Sequence, residues 1–221
     1  MVEKMITNDN SAYWNNFYKK NTTFSESTFC TKIRKKFQQD IIVVDIGCGL
    51  GRDSFSFASA GFDVYGIDGS HEAISANNKR ADELNHSGEV VFSKVDLSDQ
   101  NALKELFSNV INKAEYSNKK VILYLRFLLH AIDDETERVL LDMIAKCLPV
   151  GTYFAAEFRS AEDAKRSKVY DDHYRRFIET DKLLVELIRR NFSIKEFYKG
   201  TGLSIYKDED PFLARVLAEK V

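Results

Sequence analysis

Ile41–Ile46, read IIVVDI, runs without a break into Gly47-Cys-Gly49-Leu-Gly51, and this junction constrains the fold more than any other part of the chain. A short run of β-branched residues with no polar face is a strand covered on both sides. Glycines placed straight after it let the backbone turn sharply and approach another group closely. Such a strand needs helices above and below it, and the sequence supplies them in alternation. Strand-like runs at 63–67, 89–94, 120–125 and 152–158 are separated by helix-like stretches at 51–60, 70–84, 101–113 and 134–147. Strict alternation predicts βαβ units, right-handed crossovers and a parallel sheet with helices on both faces. Two helices precede the first strand, at 11–20 and 28–39, the second carrying Phe29, Ile33 and Phe37 along one face. After the fifth strand the pattern changes. Charged stretches at 160–178 and 181–190 read as helices, followed by strands at 192–199 and 212–218. With no repeat, low-complexity segment or proline-rich linker, the 221 residues are expected to form one domain.

Composition narrows the function. Lys and Arg number 32 against 34 Asp and Glu, a net charge of −2, without the positive excess expected of a nucleic-acid binder. Cys30, Cys48 and Cys147 lie far apart, which gives neither a disulfide framework nor a paired-cysteine metal site and suits a reducing compartment. Residues 1–21 are polar, without the apolar core of a signal peptide, and the apolar run at 121–132 is short and interrupted by Arg126 and His130. The expectation is a cytoplasmic protein with no metal, no membrane and no nucleic-acid partner.

The spacing of the glycine loop separates two kinds of ligand. A dinucleotide fingerprint needs its third glycine at position 52, where this chain has Arg52, and an acid, Asp45, stands two residues before Gly47. A carboxylate there suits an ammonium group better than a pyrophosphate. Asp68 ends the second strand, where it can accept from ribose hydroxyls, and Asp96 ends the third, where it can accept from an adenine amino group. Three acids at successive strand ends match an adenosine that carries an amino acid.

This constellation, over residues 40–160, resembles the class I S-adenosylmethionine-dependent methyltransferases, as does the turn Leu148-Pro149-Val150-Gly151. The resemblance implies a Rossmann-like, doubly wound sheet of seven strands, mostly parallel with a C-terminal antiparallel strand. The single domain would divide into a helical cap at 1–39, a cofactor core at 40–158, an acceptor-side helical insertion at 159–190 and terminal strands at 191–221. It places Asp45, Gly47, Cys48 and Gly49 along the methionine part of S-adenosylmethionine, Asp68 with Gly69 and Ser70 at the ribose, and Asp96 with Leu97 at the adenine. Arg52 and Asp53 open the next helix, with Arg52 either meeting the cofactor carboxylate or standing exposed. Leu125 borders the cofactor at the end of the fourth strand. Tyr13 and Trp14 either cover the cofactor or staple the first helix to the sheet. Cys48 has no activating base beside it and is a loop residue, not a nucleophile.

On the acceptor side, the resemblance sets the tip of the fourth strand beside the methyl group. There stands Tyr124-Leu-Arg126-Phe-Leu-Leu-His130, with His130 one helical turn beyond Arg126 if Phe127 begins a helix. Arg126 and His130 are the candidate catalytic residues, with His130 either a general base or a packed side chain. The spacing is similar to phosphoethanolamine methyltransferases, which carry an acid where Arg126 stands. Residues 157–176 hold six basic and five acidic side chains, so the stretch is either a solvated helical face or an acceptor clamp. As a clamp, Tyr18, Arg126, Arg159, Tyr170, His173, Tyr174, Arg175 and Arg176 would grip a phosphate or carboxylate. Residues 202–211 resemble methyltransferases of bacterial capsule and surface-polysaccharide assembly. The expected activity is methyl transfer to the oxygen, or else the nitrogen, of a small anionic metabolite or sugar unit, releasing S-adenosylhomocysteine. The alternatives are a nucleic-acid methyltransferase, a non-catalytic S-adenosylmethionine-binding module and an NAD-dependent oxidoreductase. The oligomeric state is left open.

Overall fold

The computed structural model describes residues 25–166, 174–206 and 208–221. The expected helix at 11–20 and the candidates Tyr13, Trp14, Tyr18, Tyr170 and His173 lie outside the described residues.

The strands are β1 (Ile41–Ile46), β2 (Asp63–Asp68), β3 (Val90–Lys94), β4 (Lys120–Arg126), β5 (Tyr153–Arg159), β6 (Phe192–Gly200) and β7 (Leu213–Lys220). They form one sheet in the order β3-β2-β1-β4-β5-β7-β6. The first five run parallel, and β7 lies antiparallel between β5 and β6. Strand order reverses between β1 and β4, and ligands of open α/β sheets bind beyond the strand ends at such a switch point.

The helices are α1 (Thr28–Lys36), α2 (Arg52–Ser59), α3 (His71–Glu83), α4 (Gln100–Ser117), α5 (Asp134–Cys147) and α6 (Thr180–Arg189). Four start on a side-chain cap that satisfies a free backbone N–H: Ser27 for α1, Ser70 for α3, Asp99 for α4 and Asp133 for α5. Residues from α4, α5 and α6 pack on one face of the sheet, including Leu103, Phe107, Leu140, Ile144 and Leu187. Phe29 and Ile33 of α1 and Phe57 of α2 pack on the other. Every residue of β1 is buried, as its unbroken apolar pattern requires. No helix among the described residues is long and apolar enough to cross a membrane.

Two expectations are corrected. The stretch 160–178 contains only a 3₁₀ turn, Ala161–Lys165, among its described residues. Its far end instead folds back on β5: Ile178 N–H donates to Arg159 at 3.0 Å, and Ala161 N–H donates to Ile178 at 3.0 Å. Tertiary pairing has overridden local helix propensity. Phe127 begins no helix either. Its φ of 57° is left-handed, so the chain turns sharply off β4.

Candidate active site

The glycine loop is shaped by the end of β2. Gly47 and Cys48 N–H both donate to the Ile67 carbonyl, at 2.8 and 2.9 Å, and Gly49 N–H donates to Asp68 Oδ2 at 2.9 Å. This curl requires positive φ at Gly47 (75°), Gly49 (52°) and Gly51 (68°). At Gly47 a Cβ would also come within 2.8 Å of Leu128 Cδ1. From α3, the buried Asn77 amide donates to the Gly49 carbonyl at 2.7 Å and fixes the loop from outside.

Asp68 is half-buried at the strand end. Its Oδ1 accepts from Ser70 N–H at 2.8 Å and its Oδ2 from Gly49 N–H, and with the Gly69 amide also bonded the carboxylate keeps one lone pair for a further donor. Burial raises its pKa, opposed by the Ser70, Gly49 and Gly69 amides. Asp45 lies below the loop, fully buried, and accepts the Ser54 hydroxyl. Burial pushes its carboxyl up to about 7, helped by the charges of Asp53 and Asp68 and opposed by Ser54 and Arg126. Cys48 is pushed up by burial, with Asp45 and Asp68 adding, which makes it a poor thiolate. A Cβ on exposed Gly69 would meet nothing within 4 Å, so the space beside Asp68 is open.

The remaining cofactor-side candidates are placed differently. Asp53 turns away from the loop: its carboxylate accepts from Ser27 N–H (2.8 Å), Ser27 Oγ (2.6 Å) and Tyr124 Oη (2.7 Å). It is a buried structural node, not a ligand-facing acid. Arg52 donates to the carbonyls of Ser25 and Glu26, so it ties down the entry to α1 and does not stand free. Asp96 is exposed beyond β3, where it closes a turn on Ser98 N–H (2.9 Å) and Oγ (2.7 Å), and Leu97 packs against the core. Leu125 is buried within β4.

The arginines of the acceptor side are engaged inside the protein. Arg126 Nε bonds Glu157 at 3.0 Å and its Nη2 donates to Ser204 Oγ at 3.0 Å. Glu157, 0% exposed, also accepts from Arg215 Nε at 2.6 Å. Arg159 is buried between Asp163 (2.6 Å) and Glu209. Arg176 pairs with Asp134 and Glu137 and donates to the Leu129 carbonyl at 2.8 Å. These three guanidinium groups are thus committed to partners of the chain, against the expectation of an open anion clamp. Tyr174 and Arg175, which precede Arg176 in the chain, are half-buried.

Of the two readings of His130, the geometry has the packed side chain. It is 6% exposed, and its Nδ1 accepts from Arg159 N–H at 3.2 Å. With Nδ1 accepting this bond, the neutral ring keeps its proton on Nε2. Glu157, Arg215, Ser204 and Asn77 were not foreseen. Only the Glu157–Arg215 pair had a signal in the sequence, as opposite charges facing across β5 and β7 once that register is known.

A positive-φ glycine cradle beside a switch point, with an acid at the end of β2 that retains acceptor capacity, is an arrangement suited to an adenosine-bearing ligand in an open α/β sheet. Residues 37–172 match the family model described as a methyltransferase domain, and the chain belongs to that family. Over 116 residues it is 33% identical to the mRNA cap guanine-N(7) methyltransferase of Schizosaccharomyces pombe, covering 50% of this chain and 30% of that protein. The chain therefore spans about a third of the length of this curated relative.

Solved structures share the fold. An S-adenosylmethionine-dependent methyltransferase from Anabaena variabilis superposes with a TM-score of 0.72 at 16% identity, over 96% of this chain and 93% of its own. A glycopeptide N-methyltransferase complexed with S-adenosylmethionine gives 0.60 at 15% identity, over 89% and 88%. Magnesium protoporphyrin IX methyltransferase from Synechocystis, with bound S-adenosylhomocysteine, gives 0.60 at 14%, over 100% and 90%.

Proposed function

We propose that this chain methylates a small-molecule acceptor held beyond the tips of β4 and β5, with the cofactor across β1, β2 and β3. The observation that carries this reading is Asp68: a half-buried carboxylate, fixed by the backbone amides of Gly49, Gly69 and Ser70, beside open space at Gly69. In this reading Asp68, with Gly69 and Ser70, holds the ribose, and Asp96 and Leu97 border the adenine. Asp45 and the loop from Gly47 to Gly51 face the amino-acid end. The cofactor supplies an electrophilic methyl group on a sulfonium, and the protein supplies alignment, which is worth much of the rate in such a displacement. Since His130 is a packed side chain, the preferred acceptor atom is one that needs no strong base from that residue.

An oxygen of a sugar unit, in the surface-glycan setting suggested by residues 202–211, is the first reading. A second is favoured by the curated relative, whose name states methylation at a guanine N7, an atom that carries no proton. The net charge of −2 favours the first reading over a polyanionic acceptor. Calorimetry with S-adenosylhomocysteine and NAD tests the cofactor half: NAD binding without S-adenosylhomocysteine binding would end the proposal. Labelled methyl transfer to a sugar panel and to guanosine-capped RNA decides between the acceptors.

A further inference from the structure

Of the five backbone amides in the cradle, from Gly47 to Gly51, four are already engaged. Gly47 and Cys48 N–H donate to Ile67, Gly49 N–H to Asp68, and Gly51 N–H to the Cys48 carbonyl at 3.0 Å. Leu50 N–H has no partner among the described residues, and Leu50 is half-buried. The direction of this N–H is not set by the turn it belongs to. The Gly51–Cys48 bond closes a turn with Gly49, at φ 52°, and Leu50 in the middle. Turns of different type share that bond and differ in how the middle peptide is rotated.

The middle peptide is held from α3. Asn77 Nδ2 donates to the Gly49 carbonyl at 2.7 Å. A planar trans peptide sends its C=O and N–H in opposite directions, so Leu50 N–H points away from α3. Asn77 is an uncommon choice for its place. With Ala73 and Ile74 it forms the buried side of α3, and it is 1% exposed. An apolar side chain such as leucine would favour the helix more and would bury without desolvating an amide. The polar side chain at this position gives its bond to the loop, and through it fixes one peptide of the cradle.

The charges around the cradle indicate what such a donor serves. The amino-acid end of the cofactor carries an ammonium and a carboxylate. Asp45, beneath the loop, and Asp68, beside it, are acids that suit the ammonium. Arg52, which the carboxylate could have met, is turned to the carbonyls of Ser25 and Glu26. Arg126 is bonded to Glu157 and Ser204. A carboxylate arriving at this loop therefore needs a backbone donor, and a charge-assisted bond to an N–H is among the stronger ones available to it.

We infer that Asn77 is a positioning residue for the amino-acid end of the cofactor: by holding the Gly49–Leu50 peptide it presents Leu50 N–H to the carboxylate. This rests on the reading that the amino-acid end lies at the glycine loop. Asn77 itself touches no ligand in this arrangement and acts through one peptide. The adenosine is held elsewhere, at Asp68 and Asp96 in the proposed function, so Asn77 bears on one end of the ligand only.

The test compares two nucleosides that differ at that end. S-adenosylhomocysteine carries the amino acid, and 5′-methylthioadenosine has a methyl group on the same sulfur in its place. Both are titrated by calorimetry into wild-type, Asn77→Ala and Asn77→Leu protein. Asn77→Leu keeps the buried side of α3 filled and apolar, so it is expected to fold even if the alanine variant does not, and thermal midpoints check both. Each variant should weaken S-adenosylhomocysteine binding about tenfold and 5′-methylthioadenosine binding by less than about twofold. In isotope-labelled wild-type protein the Leu50 amide resonance should move further with S-adenosylhomocysteine than with 5′-methylthioadenosine. Equal losses for the two nucleosides would assign Asn77 to general packing, and unchanged S-adenosylhomocysteine binding would take away its hold on the ligand; either result overturns the inference. Wild-type protein that binds both equally tightly also overturns it, while the adenosine reading stands. Wild-type protein that binds neither ends the cofactor reading, and this inference with it.

Discussion

Asp45→Asn removes one proton-binding group from beneath the glycine loop while keeping its shape and its capacity to accept the Ser54 hydroxyl. Burial raises Asp45 from 3.8 to about 7. A tenfold change in proton affinity is worth about 1.4 kcal/mol, so the native state holds this proton more tightly than the unfolded chain by up to ~4 kcal/mol. The sign follows directly. Between about pH 4 and pH 7 the folded protein retains a proton that the unfolded chain has lost, so stability falls as pH rises through that window and levels off above it. Asparagine has no such proton. Urea unfolding at about pH 5 and about pH 8 should show the wild-type protein losing a few kcal/mol relative to Asp45→Asn at the higher pH. Ligand binding approaches the same group from the other side. A cofactor ammonium beside Asp45 favours its ionised form, so wild-type affinity for S-adenosylhomocysteine should climb toward a plateau above about pH 7 while the variant stays flat. Parallel pH profiles for the two proteins, in unfolding and in binding, would refute the argument.

Other substitutions bear on the rest of the site. Asp68→Asn should weaken S-adenosylhomocysteine binding by about 1–3 kcal/mol in calorimetry, since it replaces charge-assisted acceptors at the ribose. Gly47→Ala forces an L side chain into the left-handed region and against Leu128, so it should cost about 2–3 kcal/mol, seen as a lower thermal midpoint. Glu157→Ala leaves Arg126 and Arg215 without their shared carboxylate and should destabilise the fold by about 3–5 kcal/mol in urea, with Glu157→Gln milder. His130→Asn preserves an acceptor for Arg159 N–H, so turnover should stay within about threefold; a drop of about a hundredfold with loss of the acidic limb would restore the base.

What could be read from the sequence follows from the range of the forces involved. The strands and the loop are set by local patterns: β-branched runs that pair on both sides, and glycines where the left-handed backbone admits little else. Ile41–Ile46 and Asp134–Cys147 accordingly fall where their residues predict them. The acids after β2 and β3 were visible for the same reason, because a strand end is a fixed place in an α/β sheet. The partners of the charged side chains were not visible. Glu157 meets Arg215 across 58 residues, through an antiparallel register that no local pattern encodes. The same blindness turned 160–178 into a helix, since its charges look solvated until Arg159 and Asp163 are found buried together. It also made Arg126 and Arg159 look like open ligands for an anion. A dense run of arginines says little about a site until the carboxylates that answer it are located.

The insertion of β7 between β5 and β6 has a consequence for how the protein is made. In order of synthesis β7 comes after the other six strands of the described sheet, yet β5 and β6 meet only through it. About 60 residues separate the end of β5 from the end of β7, which at ~5–20 residues per second is an interval of about 3–12 s on the ribosome. Throughout that interval one margin of the nascent sheet presents the unsatisfied amides and carbonyls of Tyr153–Arg159, a strand buried along most of its length in the finished protein. An open apolar margin of this kind invites pairing with a neighbouring chain. Arrival of Leu213–Lys220 closes it in one step, so translation speed between β5 and β7, and chaperone cover during that interval, should govern how much of this protein emerges soluble.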